Sequence, residues 1–169
     1  MRDPAPDVGS IVLPDGSMGG SEFIMKAKVG DLLLVYFGYT SCPDVCPTTL
    51  ADLRNALRDL GESANRVQVA FVTIDPNRDL ADDLTNYIRA FFDEGHALRT
   101  ADPDVLRSAA DAFGADYEVT GREDGLFDVV HTAFLYAVDS DGRILVQWPF
   151  GTTPEDMTND LAYLFDQGV

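Results

Sequence analysis

Residues 32–53 read LLLVYFGYTSCPDVCPTTLADL, and this stretch predicts a buried strand, a short loop and the start of a helix. Its first eight residues are almost all apolar, as expected for a central strand that is covered by helices on both faces. Leucines then recur at spacings of three and four, which is typical of a helix with one buried face. These leucines are Leu50, Leu53, Leu57 and Leu60. Gly61 is the expected end of the helix.

The chain's only two cysteines, Cys42 and Cys46, fall in this strand-to-helix loop. Proline is tolerated only in the first turn of a helix, so Pro47 predicts that Cys46 lies at the helix N-terminus and Cys42 in the loop before it. Exposed backbone N–H groups and the helix dipole favour a thiolate at such a position. Ligands of open α/β sheets also gather where the chain leaves the carboxyl end of a strand. We therefore predict a functional site at this loop.

The rest of the chain alternates strand-length apolar runs with helix-period segments, which indicates a layered α/β domain. Residues 11–25 predict an N-terminal β-hairpin around a Gly-rich turn. The other predicted elements are strands at 67–75, 132–138 and 143–148 and helices at 84–91, 102–113 and from 154 onward. The expected order is hairpin, β, α, β, α, α, β-hairpin, α. We expect one domain over residues 1–169, with 1–8 as a flexible lead-in.

The composition argues against several classes of partner. The formal net charge is −17, from 29 Asp and Glu against 12 Lys and Arg. Nucleic acid and an anionic membrane face would both be repelled by this charge. No run approaches the roughly 20 apolar residues that span a bilayer. We expect the acidic surface to serve solubility first, and a basic partner fits it better than an acidic one.

The spacing of the two cysteines leaves several chemical interpretations open. A Cys-x-x-Cys pair at this place would indicate thioredoxin-type exchange, whereas Cys-x-x-x-Cys leaves enough slack for both sulfurs to reach one ion. Two thiolates suit Cu(I), which accepts two or three soft ligands, while a tetrahedral zinc site needs four ligands. The remaining interpretations are a redox disulfide, a peroxide-reducing thiol and two small buried packing residues.

Only two histidines are available as a third ligand. His131 comes just before a predicted strand, in a loop that can face the cysteines if that strand pairs near the central one. His96 lies in the polar stretch FDEGHALRT and is predicted to be a solvated surface residue. From the residues alone, a single loop histidine is more often structural or solvent-facing than a ligand.

Three segments together resemble the Sco/SenC family of copper-binding proteins. They are FGYTSCPDVCPTTLADL, FVTIDPNRD and VVHTAFLYAVDSDGRI, in this order along the chain. The resemblance runs from about residue 32 to the final helix, and Cys-Pro-Asp-Val-Cys-Pro is its most specific element. It implies a thioredoxin-like α/β fold with a central mixed β-sheet flanked by helices, here preceded by the N-terminal hairpin.

The resemblance also implies a ligand set. In that family the two motif cysteines and a distant histidine bind copper, so the expected ligands are Cys42, Cys46 and His131 around one Cu(I) or Cu(II) ion. Oxidation of the two cysteines to a disulfide would prevent copper binding through thiolates, so the redox state would switch the site between holding metal and exchanging electrons.

Four charged residues are expected at the rim of this site. Asp75, Arg78 and Asp79 match an Asp-Pro-x-Arg-Asp segment of the family, and Asp44 lies between the two cysteines. Asp75 or Arg78 would tune the charge around the metal, as outer ligand-supporting groups do. The competing interpretation is turn and helix-start chemistry, in which Asp79 caps the helix that follows.

The function implied by the resemblance is that of a copper metallochaperone rather than an enzyme. It would serve assembly of the dinuclear copper centre of a haem-copper (cytochrome c) oxidase, with the copper-receiving oxidase subunit and other copper or thiol-redox proteins as partners. Family members are usually anchored on the outer side of the cytoplasmic membrane by an N-terminal helix or lipid. This sequence contains neither, so we expect it to be a soluble domain whose membrane association needs a segment absent from the chain.

Three alternatives use the same thiols. A thiol-disulfide oxidoreductase would maintain the copper-ligand cysteines of the oxidase and bind copper only incidentally. A peroxiredoxin-like peroxidase is suggested by Thr40 near Cys42, but peroxide-reducing families usually place that threonine three residues before the cysteine and here the gap is two. A redox or copper sensor would need an output partner, of which the sequence gives no sign.

Overall fold

The computed structural model describes residues 5–169, which form a seven-stranded mixed sheet, a separate two-stranded sheet and four α-helices. The strands are β1 (Val12–Asp15), β2 (Ser21–Ile24), β3 (Leu32–Gly38), β4 (Val67–Thr73), β5 (His96–Leu98), β6 (Tyr117–Gly121), β7 (Phe127–His131), β8 (Phe134–Val138) and β9 (Ile144–Pro149). The helices are α1 (Val45–Leu60), α2 (Ala81–Arg89), α3 (Pro103–Phe113) and α4 (Pro154–Asp166).

The large sheet has the strand order β2-β1-β5-β4-β3-β8-β9. Its centre is parallel, since β3, β4 and β5 run in one direction, and β8 joins β3 in the antiparallel sense. β1 and β2 form the expected N-terminal hairpin, and β8 and β9 form the second one. The predicted α/β class with a mixed central sheet is therefore confirmed.

Strand β3 is the centre of the fold because both of its faces are covered. All seven of its residues are buried. Leu33, Val35 and Phe37 pack in the core that includes α3, while alternate residues pack in the core that includes α1, α2 and α4. The carboxyl end of β3 is thereby fixed in position, and the loop that follows it starts from a rigid point.

Helix α1 follows the sequence prediction closely. It begins at Val45 with Pro47 in the first turn, and Gly61 ends it with a φ of 67°. Leu50 and Leu53 are fully buried against the sheet. Cys46 therefore lies at the helix N-terminus, as predicted from the proline.

Strands β5, β6 and β7 are missing from the predicted order, which was wrong in this respect. β5 has only three residues, too few for an alternating pattern to be recognised. β6 and β7 pair only with each other, and most of their side chains are exposed. Each of these strands has only two apolar residues in alternation with other residues, which is a weak signal for a strand in sequence.

His96 is not the solvated surface residue that we predicted. It lies in β5, and its Nδ1 is 2.7 Å from a carboxylate oxygen of Asp15, whose side chain is 2% exposed. Burial alone would raise the pKa of Asp15, but hydrogen bonds from Ser17, His96 and Ala97 outweigh it, and the pKa is lowered. His96 therefore acts as a structural partner that joins β5 to the first hairpin.

The end of the lead-in is tied to the domain. The first four residues lie outside the described part, but Val8 is fully buried and its N–H donates to the carbonyl of Gly142 at 2.7 Å. The N–H of Ile144 in turn donates to the carbonyl of Pro6 at 2.9 Å. Among residues 5–169, no helix combines the length and the hydropathy that a membrane span requires.

Candidate metal centre

Cys42, Cys46 and His131 meet at one point of the structure. Their ligand atoms, two sulfurs and one imidazole nitrogen, all lie within 4.8 Å of one another. Cys46 Sγ is 3.7 Å from His131 Nε2, although the two residues are 85 positions apart in sequence. The fold therefore assembles the three residues that were expected as ligands.

The cysteine half of this centre stands on the β3–α1 loop. The backbone N–H of Cys46 donates to Sγ of Cys42 at 3.3 Å, so a free amide at the helix N-terminus is directed at the Cys42 sulfur. Cys42 is 9% exposed, whereas Cys46 is completely buried. The two sulfurs are thus unequal in access, with Cys42 as the outer one.

The expectation of a favoured thiolate has to be corrected for Cys46. Burial raises the pKa of its thiol to about 12, although a backbone hydrogen bond at Tyr39 acts in the opposite direction. The desolvation of a fully buried sulfur outweighs the helix terminus here. Cys46 is accordingly a thiol at neutral pH in the metal-free protein, and a metal ion that binds it must displace a proton.

The histidine half of the centre lies at the end of a strand rather than in the predicted loop. His131 is the last residue of β7. Its Nδ1 is 3.3 Å from the carbonyl oxygen of Thr132. Because a carbonyl only accepts, Nδ1 carries the hydrogen and the lone pair of Nε2 faces Cys46. Burial also lowers the pKa of His131, which keeps the imidazole neutral and ready to bind a metal.

Gly38 makes room for the Cys46 sulfur. A Cβ atom at this position would lie 2.9 Å from Cys46 Sγ and 2.9 Å from Cζ of Phe71, closer than real Cβ contacts. Gly38 is the last residue of β3, and a glycine inside an apolar strand often marks such a close approach. The missing Cβ at Gly38 therefore leaves the space that the buried Cys46 sulfur occupies.

A cavity of about 350 Å³ opens above Cys42 and His131. Its walls are largely apolar and include Tyr39, Pro43, Val45, Val130 and Ala133. The ring of Tyr39 meets the imidazole of His131 edge-on at 5.8 Å between centroids. Two sulfurs and an imidazole in an apolar pocket form a soft donor set of the kind that copper prefers, and it falls short of the four ligands of a structural zinc site.

Asp75 and Arg78 brace the histidine hairpin. The Arg78 side chain forms an ion pair and a hydrogen bond with the Asp75 carboxylate. Its guanidinium carbon also lies 4.0 Å from the ring centroid of Phe127, which is on the same strand as His131. The expected rim role of this pair remains a prediction, but its observed contacts connect the β4–α2 loop to β7.

Asp79 does not cap α2, so that interpretation was wrong. The residue before α2 is Leu80, which offers no capping side chain. The buried Asp79 carboxylate instead accepts hydrogen bonds from the backbone N–H of Thr40 at 3.0 Å, from the Thr40 hydroxyl at 2.5 Å and from the Thr73 hydroxyl at 2.7 Å. It thereby fixes the loop two residues before Cys42 and engages the hydroxyl on which the peroxidase alternative depended.

Asp44 is exposed and lines the cavity over Cys42. Its carboxylate accepts a hydrogen bond from the Thr48 hydroxyl at 3.2 Å. It precedes α1 without making a side-chain capping bond to the backbone. Its rim role likewise remains a prediction.

Sequence reasoning missed the residues that support the centre from below and from the side. These are Tyr36, Gly38, Tyr39 and Phe127, together with the carbonyl of Thr132. The alternation of β3 was a usable signal for Tyr36, because it places that side chain on the face of α1. No local signal exists for Phe127 or Thr132, whose roles depend on the path of the hairpin.

Sequence comparison relates the chain to known proteins. A family model described as SCO1/SenC matches residues 18–166. A SCO2-like protein of Rickettsia conorii is 32% identical over 140 residues, which cover 82% of this chain and 68% of that protein. Across four Rickettsia relatives of this kind, the chain spans 57% to 68% of the relative's length.

Structural comparison leads to the same proteins. The structure of Bradyrhizobium japonicum ScoI with copper bound matches with a TM-score of 0.76 at 32% identity, covering 90% of this chain and 96% of that one. The solution structures of apo Sco1 from Thermus thermophilus match with a TM-score of 0.74 at 33% identity, covering 91% and 89%. These matches confirm the expected thioredoxin-like fold. Since the family match extends over most of the sequence, the chain belongs to the SCO1/SenC family.

Proposed function

We propose that this domain binds one copper ion through Cys42, Cys46 and His131 and delivers it during assembly of the dinuclear copper centre of a cytochrome c oxidase. The observation that carries the proposal is the convergence of two sulfurs and one neutral imidazole within 4.8 Å. Copper in the related Bradyrhizobium japonicum ScoI structure supports the choice of metal. Three donors fall short of the four ligands that a structural zinc site requires.

Three ligands suit a carrier better than a permanent site. An ion with low coordination can accept an incoming sulfur or nitrogen before it loses a ligand, so transfer proceeds by ligand exchange. The cavity gives a partner access to Cys42 and His131, while Cys46 is completely buried. We therefore expect Cys46 to be the last ligand to release copper.

The proposed setting is the outer side of the cytoplasmic membrane, with the copper-receiving subunit of a terminal oxidase as partner. Family membership supports this assignment. The charge of the domain adds a condition, because a surface with a net charge of −17 is approached most easily by a partner with a basic docking face.

Anaerobic copper titration of the reduced protein tests the metal assignment. We expect one copper per chain. Changing a group that only supports a ligand costs up to about 100-fold in metal affinity, so Cys46→Ser, which removes a ligand, should weaken copper binding by more than that. Ser41→Ala is a matched control, since Ser41 is exposed in the same loop. A different stoichiometry, or binding that is unaffected by Cys46→Ser, would contradict the proposal.

Thiol-disulfide exchange is the second candidate, and the arrangement of the cysteines favours it. The Cys42 sulfur accepts a hydrogen bond from a helix N-terminal amide and lies at the cavity, while the Cys46 sulfur is within 4.8 Å behind it. The outer sulfur would attack a partner disulfide, and the inner one would then release the partner and close an intramolecular disulfide.

The variant His131→Ala separates the two candidates. A copper carrier should lose more than about 100-fold in copper affinity, the upper limit for an outer supporting group, and keep its disulfide exchange rate, because the imidazole is a ligand only for the metal. His96→Gln serves as the control, since the other histidine is engaged with Asp15. Copper affinity and copper absorption that survive His131→Ala unchanged would rule out the three-ligand site.

A further inference from the structure

Tyr36 lies directly beneath the metal centre, and its hydroxyl is unusual for a buried group. The side chain is completely buried in β3. Within the described residues, its oxygen has no partner that meets hydrogen-bond geometry. A buried hydroxyl without a partner is costly, and in native proteins it calls for an explanation.

The polar groups beside this hydroxyl are the side chains of Cys46 and Thr49. The hydroxyl of Thr49 donates to the carbonyl of Val45 at 2.8 Å, and it makes no bond with Tyr36 that meets hydrogen-bond geometry. Packing around Gly38 gives independent support for closeness to Cys46, because a Cβ there would lie 2.9 Å from Cys46 Sγ and 3.0 Å from Cε1 of Tyr36. Cε1 is bonded to the carbon that carries the hydroxyl, so the phenol is next to the sulfur.

Tyr36 also touches the third expected ligand. Its ring meets the imidazole of His131 edge-on, with 6.3 Å between centroids. A single side chain therefore contacts both the most deeply buried sulfur and the histidine.

We propose that Tyr36 is a positioning residue whose hydroxyl donates a hydrogen bond to Cys46 Sγ when that sulfur is bound to copper as a thiolate. The inference rests on the proposed copper site. A thiol is a weak acceptor, whereas an anionic sulfur accepts a shorter and stronger hydrogen bond. The orphaned hydroxyl thus gains a strong acceptor in the copper-bound sulfur.

The hydrogen bond should favour Cu(I) over Cu(II). Hydrogen bonding to a ligand sulfur withdraws electron density from it, and such bonds tune the reduction potential of copper–thiolate sites. Cu(II) depends more than Cu(I) on electron donation from sulfur, so this withdrawal destabilises Cu(II) relative to Cu(I). It also moves the sulfur-to-Cu(II) charge-transfer absorption to higher energy. Tyr36 would then help to hold the ion as Cu(I), the form that soft ligands exchange readily.

The test is Tyr36→Phe, which removes the hydroxyl and keeps the ring. We expect the variant to bind one copper, to absorb at longer wavelength as Cu(II), and to shift the ratio of Cu(I) to Cu(II) affinity about tenfold toward Cu(II), a fall of about 59 mV in potential. Tyr136→Phe is the control, because Tyr136 is equally buried but packs on the opposite face of the sheet. It should leave both values as in the parent protein.

Unchanged absorption and potential in a copper-binding Tyr36→Phe protein would overturn the inference and leave the proposed function intact. Failure of the parent protein to bind copper would instead overturn the proposed function. If Tyr36→Phe does not fold, 3-fluorotyrosine at position 36 provides the opposite change. Its more acidic hydroxyl should shorten the absorption wavelength and raise the potential, and no shift would again contradict the role of Tyr36.

Discussion

The two halves of the metal centre are built in contrasting ways. The cysteine half follows β3, whose seven residues are all buried, and it is completed by the first turn of α1. The histidine half is carried by the β6–β7 ribbon, which has no strand partner in the large sheet. On this ribbon Leu126, Phe127 and Val130 are 61%, 47% and 71% exposed.

The two halves therefore have different roles, since one selects the metal and the other closes the site around it. The β3–α1 loop and the first turn of α1 hold two buried sulfurs close together before any ion arrives. The ribbon brings His131 to them while it is tied to the body by few contacts, among them Arg78 on Phe127 and Arg107 on Tyr117. Elements with few buried contacts open at a small cost in free energy. We infer that metal choice belongs to the loop and that access belongs to the ribbon.

Gly38→Ala should have the largest effect, because it acts on the rigid half. The new Cβ would lie 2.9 Å from Cys46 Sγ and 3.0 Å from Cε1 of Tyr36. Overpacking of this kind costs about 1–3 kcal/mol in the free energy of unfolding. We expect that loss in urea denaturation of the metal-free protein, together with weakened copper binding.

Gly121→Ala provides the matched comparison on the ribbon. A Cβ at Gly121 in β6 would meet its nearest atom, Cε1 of Phe127, at 3.7 Å, which is an ordinary contact. This variant should unfold and bind copper like the parent protein. Equal effects of the two substitutions would show that the two halves do not differ in packing constraint.

Phe127→Ala should have a smaller effect, confined to the ribbon. It removes the ring on which Arg78 stacks, an interaction worth about 0.5–1 kcal/mol at an exposed site. Looser positioning of His131 should weaken copper binding by about threefold, while the global unfolding midpoint stays nearly constant. Leu126→Ala removes a similarly exposed apolar side chain without a stacked guanidinium. If both variants lose the same copper affinity, the brace is not responsible.

The smallest expected effect is a pH dependence from His131. Burial lowers its pKa below the ordinary value of 6.5, so the unfolded chain takes up this proton at higher pH than the folded one. The free energy of unfolding of the metal-free protein should therefore fall as pH drops below about 6.5. The fall should end once the pH is below the lowered pKa of the folded state. Urea midpoints between pH 7.5 and 5 measure this slope. His131→Gln should reduce it, and identical slopes would contradict the assignment.

The same division governs what the sequence could predict. The loop and α1 were predictable because Pro47, Gly61 and the leucine spacing are local signals of helix ends and faces. The ribbon was not, since each of its strands is short, mostly exposed and has only two alternating apolar residues, which is a weak signal. His131 gained its role from the family resemblance, and the position of its strand only from the structure. Asp79 illustrates the remaining gap, because its main partner, Thr40, is 39 residues away.

The distance of 85 residues between Cys46 and His131 gives the bound ion a mechanical meaning. An ion held by both residues is a reversible cross-link, and a covalent link that closes a loop of about 100 residues would stabilise the fold by at most about 4.7 kcal/mol in the chain-entropy account. Without the ion the ribbon should open more readily, and trypsin-like proteases should then cut faster at Arg122, an exposed residue of its turn. The rate of cleavage at Arg122, with and without copper, would measure how much the cross-link stabilises the ribbon. Loaded and empty carriers would then differ in lifetime, so the cargo itself would protect the protein that carries it.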